Sequence, residues 1–115
     1  MTDAEKKSQA RRELAAVYMR DSSHEGSSWR SRADCACDAV YLYALAALGE
    51  SADGYEHPDA KALTDAADKL GWPAAKMTPA IVQLERRYAP VVSPEEAHAA
   101  YDELIPLAKE LGTGS

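Results

Sequence analysis

The sequence predicts an all-α fold, an antiparallel bundle of about five helices, three long and two short, in a single domain. Alanine supplies 23 of its 53 apolar residues, whereas Val, Ile and Thr together number 11 and Phe is absent. Strands want the branched and aromatic side chains that are scarce here, and Ala and Leu favour helices. Apolar residues also recur at helical spacing between recognisable start and stop signals. A length of 115 residues fits one domain and leaves no room for two of ordinary size.

The first helix is expected over 3–20, with Ala10, Leu14, Val17 and Tyr18 on one apolar face. The polar run from Asp21 to Ser28, holding Gly26 and four serines, is a loop. The second helix, 29–48, starts after Ser27 or Ser28 as N-cap and ends at Gly49 in a left-handed position. Its apolar face, Trp29, Ala33, Ala36, Cys37, Val40, Tyr41, Ala44, Ala47 and Leu48, widens after Asp38 until nearly every side is apolar. That pattern marks the central helix, covered by the others.

A third helix is expected over 58–70, with Pro58 in its first turn, Leu63, Ala66, Ala67 and Leu70 inward, and Gly71 ending it. Thr78-Pro79 opens a fourth, 79–88, with Ile81, Val82 and Leu84 apolar. Ser93-Pro94-Glu95-Glu96 is a capping box that opens the last helix, 94–111. Pro106 should kink or break it, because proline removes a backbone hydrogen bond.

The net charge of −6 gives no global reason to bind nucleic acid or an anionic membrane. Charge is nevertheless uneven: residues 1–32 hold seven Lys/Arg against five Asp/Glu, and residues 33–115 hold six against fourteen. Lys6, Lys7, Arg11 and Arg12 form a basic stripe, either a solvated helix face or a strip for an acidic partner or RNA backbone. The first residues carry no apolar leader, and the longest apolar run, Ala39 to Leu48, is about half of what crosses a bilayer. A cytoplasmic protein without a membrane segment is expected.

Cys35 and Cys37 lie about 200° apart around a helix and cannot clamp one metal or pair within it. With His24, His57 and His98 on three different segments, no metal site and no cofactor are expected, and buried thiols are the simpler role. Arg30, Asp34 and Asp38 stand at successive i, i+4 positions and make one stripe, ordinarily a minor surface salt bridge. Asp38 differs, since it immediately precedes the ten-residue apolar run. It sits either at a solvent seam or in a cleft with an Arg, a Tyr or a ligand as partner. Tyr41 and Tyr43 lie on opposite sides of the helix, and their hydroxyls need partners or water. The sequence contains no phosphate-binding glycine loop, nucleophile elbow, HExxH or calcium loop.

The order of segments brings a family into view. Trp29-Arg30-Ser31-Arg32-Ala33-Asp34, leading into Asp38-Ala39-Val40-Tyr41-Leu42-Tyr43 and the Ala-Leu run to Leu48, resembles the second helix of HEPN domains. Tyr55-Glu56-His57-Pro58-Asp59 is similar to the His-containing start of their next helix. Arg86-Arg87-Tyr88-Ala89-Pro90 and the capped Ser93-Pro94-Glu95-Glu96-Ala97 resemble their Arg-Tyr-Pro turn and last helix. The resemblance spans most of residues 10–111.

It implies a small helical bundle, often dimeric, in a family that holds RNA-cleaving toxins, nucleotidyltransferase partners of toxin-antitoxin pairs, and non-catalytic ligand-binding modules. Nuclease members carry an Arg followed, after four to six residues, by a His. Here three residues separate Arg20 from His24, and eleven and ten separate Arg86 and Arg87 from His98. A general acid/base of RNA cleavage therefore lacks its place. The expectation is a non-catalytic HEPN-like module that self-associates, as a homodimer, and binds a partner protein or a small nucleotide-like ligand, with an RNA-cleaving toxin or a nucleotidyltransferase partner as the alternative. The expected surface is Arg30, Arg32, Asp34, Asp38, Tyr41 and His57, with Arg30 or Arg32 holding phosphate and a Tyr stacking the base.

Overall fold

The computed structural model describes residues 1–56 and 58–114, and among them it is all-helical, with no strand. Five α-helices follow in order: α1 (Asp3–Ser22), α2 (Trp29–Leu48), α3 (Ala60–Lys69), α4 (Thr78–Arg86) and α5 (Pro94–Gly114). Two short 3-10 segments, Gly49–Gly54 and Ala74–Met77, lead out of α2 and into α4.

Local chemistry explains the helix starts. Side-chain oxygens of Thr2, Ser28 and Asp59 accept hydrogen bonds from the backbone N–H groups of Glu5, Ser31 and Lys61, and Ser93 accepts from Glu96. Each satisfies a donor that the first turn leaves without a partner. Asp59 in an extended conformation (φ −129°, ψ 116°) is the cap of α3, so that helix begins two residues after Pro58. Thr78 is not a cap; the 3-10 turn before it runs directly into α4 and leaves no extended residue there. Gly49 (φ +64°) and Gly71 (φ +73°) end α2 and α3 in the region that disfavours a β-carbon.

The central position of α2 holds. It packs against every other helix, most extensively α1 and then α5. Ala33, Ala36, Cys37, Ala39, Val40 and Ala44 are fully buried along it. Leu63 and Ala66 of α3, Ala80 of α4, and Leu104, Ala108 and Leu111 of α5 join the same core, with Met77 beneath the connection to α4.

Two further expectations are corrected. Of the expected inward face of α1 only Tyr18 packs against the core: Ala10 is exposed, Leu14 and Val17 are 46% and 38% exposed, and the buried residues are Ala15 and Ser22. Two helices approach most closely where side chains are small, and the Ala-rich flank of α2 takes up the small residues of α1. The second correction concerns Pro106, which does not break α5. It is exposed, as is Asp102, whose carbonyl loses the N–H four residues on, so the missing bond falls on the solvent side of the helix while Leu104, Leu107 and Ala108 stay packed. Among the described residues no helix is long and apolar enough to cross a membrane.

A candidate ligand-binding cleft

Asp34, Asp38, Tyr41, Leu42 and Leu45 share one stripe of α2, and α1 and α4 stand on either side of it. Both flanking helices run antiparallel to α2. On one side Ser8 Oγ donates to the Ala46 carbonyl (3.2 Å) and Arg32 Nε to that of Ser22 (2.7 Å). On the other, Cys37 Sγ meets the Ala80 carbonyl (3.6 Å) and Gln83 Nε2 donates to Asp34 Oδ1 (2.9 Å). Between the flanking helices lies a cleft of about 330 Å³. That is the lower end of the range for small-molecule sites, about 300–1,000 Å³.

Its floor is Asp38, Tyr41, Leu42 and Leu45; Arg11, Leu14 and Tyr18 form the α1 wall, Leu84 and Arg87 the α4 wall, and Pro58 completes the rim. Leucines provide apolar area, and the polar groups are few and localised. Arg87 Nη2 lies 2.7 Å from Asp38 Oδ1, and its Nε lies 3.7 Å from Asp34 Oδ1. Burial pushes the Asp38 carboxyl above the usual carboxylate range, and the neighbouring Arg87 guanidinium pulls it back only in part. At the opposite end Arg11 Nη2 and Lys7 Nζ each lie 2.8 Å from the Asp53 carboxylate, whose hydrogen bonds from those cations hold it below the usual range. Arg11 Nη1 is buried without a hydrogen-bond partner.

The stripe expected from the sequence is therefore divided. Asp38 and Tyr41 line the cleft, and Asp34 stands beside it under Arg87 and Gln83. Tyr41 is buried and its hydroxyl accepts the Asp59 N–H (3.0 Å), tying the start of α3 to α2. Arg30 does not pair with Asp34; its Nη2 donates to the carbonyls of Ala89 (2.7 Å) and Arg87 (3.5 Å) and closes the turn after α4. Arg32 closes the end of α1 through the Ser22 carbonyl, and its guanidinium lies 4.2 Å from the Trp29 ring centroid and 4.8 Å from that of Tyr101. Both arginines offered for phosphate are thus held by helix-end carbonyls. His57 lies outside the described residues.

Arg87, Arg11, Leu14, Tyr18 and Leu84 also line the cleft; none was in the surface expected from the sequence, where Arg11 belonged to the basic stripe and the Leu and Tyr residues to apolar helix faces. Arg87 stood out only as part of the Arg-Arg-Tyr turn, which carries no indication that it reaches two aspartates on α2.

The other polar clusters are structural in form. Trp29 and His98 stack with centroids 3.7 Å apart, joining the start of α2 to α5. Cys37 is buried, and loss of solvation pushes its thiol up to about 12, so it stays protonated. Cys35 is half-buried, and burial followed by the charges of Asp21, Asp38 and Asp34 raises its thiol as well. A larger depression, about 570 Å³, lies at the start of α1, but Glu5, Gln9 and Glu50 on its rim are exposed, and Glu5 and Gln9 are engaged by Thr2 and Glu13 of their own chain segment. Among the described residues no group of three His, Cys, Asp or Glu is placed to hold a metal ion.

Comparison with known proteins returns no family model, no curated protein and no solved structure that matches this chain.

Proposed function

We propose that this chain is a non-catalytic binding module of the HEPN-like kind its sequence resembles, and that the cleft between α1, α2 and α4 is the seat of a small ligand. One observation carries the reading: an apolar floor and walls converge on an ion pair, Asp38 with Arg87, in which burial leaves the carboxylate incompletely compensated. A structural salt bridge of the surface kind has no need of such a setting. The phosphate of the nucleotide-like ligand implied by the resemblance would find Arg30 and Arg32 occupied by backbone carbonyls and Arg87 shared by two aspartates.

The test is methyl NMR of the leucines during titration with a fragment set that includes nucleoside monophosphates. Ligands of the cleft shift the methyls of Leu14, Leu42, Leu45 and Leu84 together, and Leu42→Trp, which fills the space, abolishes those shifts while leaving the helical circular dichroism intact. Shifts confined to other leucines would overturn the assignment.

A contact role is a second reading with its own observation. Tyr88 and Val91 are 79% and 83% exposed on a turn that Arg30 ties down through the Ala89 carbonyl. Large apolar side chains held rigidly in solvent suit a protein partner or a second copy of the chain. The RNA-cleaving alternative has only the resemblance behind it: Arg20 and His24 are exposed at the end of α1, and His98 is engaged by Trp29.

A further inference from the structure

The two ends of the cleft carry opposite uncompensated charge. At the Arg11 end two cations, Lys7 and Arg11, share the single carboxylate of Asp53. At the Asp38 end two carboxylates, Asp34 and Asp38, share the single guanidinium of Arg87. Gln83 contributes a neutral donor to Asp34, and Arg30 is turned away to backbone carbonyls, so neither restores the balance. Arg11 also carries a buried Nη1 with no hydrogen-bond acceptor, and Asp38 receives Arg87 on Oδ1.

The separation follows from helix geometry. α1 crosses α2 with Ser8 against Ala46 and Ser22 against Arg32, so Arg11 belongs to the Leu45 end and Tyr18 to the Asp38 end. Seven residues of α2, from Asp38 to Leu45, rise about 10 Å. Between the ends the lining is leucine, from Leu14, Leu42, Leu45 and Leu84.

We infer that the cleft takes an apolar zwitterion, its ammonium toward Asp38 and its carboxylate toward Arg11, with the two charges about 10 Å apart. The inference rests on the cleft being the binding site and adds the ligand class and its orientation. An ammonium placed at Asp38 supplies the second cation which the two aspartates lack, over the ring of Tyr18. A carboxylate at Arg11 supplies the second anion that Lys7 and Arg11, sharing Asp53, lack. An extended tripeptide spans about 10 Å between its termini, and an ω-amino acid of eight carbons presents the same two charges at about the same distance.

The experiment is calorimetry with trileucine, N-acetyl-trileucine, trileucine amide and 8-aminooctanoate, with leucine-methyl NMR to locate each. Trileucine is expected to bind in the cleft, and blocking either terminus to weaken it by about tenfold or more. Asp38→Asn should weaken trileucine and leave the N-acetyl form unchanged; Arg11→Gln should weaken trileucine and leave the amide unchanged. Equal binding of 8-aminooctanoate supports recognition of the two charges, and its absence beside bound trileucine supports a peptide as the source. Blocked forms that bind in the cleft as tightly as trileucine would overturn the zwitterion and leave the cleft standing. If other fragments move the cleft methyls and none of these probes does, the ligand class is wrong. If no compound moves them, the cleft reading itself fails.

Discussion

Asp38 and Arg87 are joined by 2.7 Å, with about a quarter of each side chain exposed, yet the two are not equivalent. Arg87 answers to two carboxylates, so removing it leaves both without a cation. Arg87→Met is expected to cost about 2 kcal/mol in urea unfolding, below the loss for a fully buried pair because solvent reaches this one. Asp38→Asn removes a carboxylate that burial already disfavours while Asp34 remains beside Arg87, so its cost at pH 7 is expected to be under about 1 kcal/mol, or a small gain. The linked proton gives a second readout. A carboxyl raised in the folded state binds its proton more tightly there than in the unfolded chain, so the Asp38 contribution to stability falls as pH rises through the carboxylate range. Asp53 has the opposite sign: its lowered pKa contributes stability that is lost as pH falls through the folded value. Carbon-detected titration of the aspartate carboxyls should place Asp38 above Asp53, and the reverse order would contradict this account of the cleft. Asp38 was legible in the sequence because a charge beside an apolar run is costly unless something meets it. Arg87 was not, since no local pattern links residues 49 positions apart, and Arg30 and Arg32 look available until the helix-end carbonyls that bind them are placed.

Helix starts and stops follow local rules and were largely readable, whereas the face a helix buries depends on its neighbour. The caps at Ser28 and Ser93 depend on three or four adjacent residues, and both sit where the sequence puts them. The inward face of α1 depends on the alanine surface of α2, which rewards close approach by Ala15 and Ser22 above burial of Leu14 and Val17. Leu14 is consequently free to form a wall of the cleft. α5 gives the same lesson through Pro106: the local penalty is real, and packing of Leu104, Leu107, Ala108 and Leu111 overrides it. Pro106→Ala restores the N–H to the Asp102 carbonyl on an exposed face and should therefore stabilise the protein, by about 2 kcal/mol on the helix-interior scale, less what proline's rigidity withholds from the unfolded chain. Thermal unfolding of the variant checks this, and a lowered midpoint would mean that the proline serves the packing of α5.

At the scale of the whole molecule, one helix organises everything else. Because α2 is apolar on nearly every side, the other four helices surround it, and what remains uncovered is the strip carrying Asp38 and Leu42. That much of the architecture was contained in the widening apolar face after Asp38, although the sequence could not tell which strip stays open, because that depends on where α1 and α4 come to rest. The turn between α4 and α5 carries two of the most exposed large apolar side chains, Tyr88 and Val91. Arg30 ties the backbone on either side of Tyr88 through the Arg87 and Ala89 carbonyls, so presenting Tyr88 to a partner costs less ordering on association. A second copy of the chain is the partner the dimer expectation names, and a symmetric contact would bring this turn against the same turn or a complementary face. Sedimentation of the purified chain should then give twice the 12.4 kDa of one subunit, and Tyr88→Lys together with Val91→Asp should return it to 12.4 kDa with helicity unchanged. Arg30→Ala should weaken the dimer as well, because it frees the turn without touching its apolar side chains. A wild-type chain that sediments as a monomer at high micromolar concentration would end the self-association reading and leave Tyr88 and Val91 to a different protein.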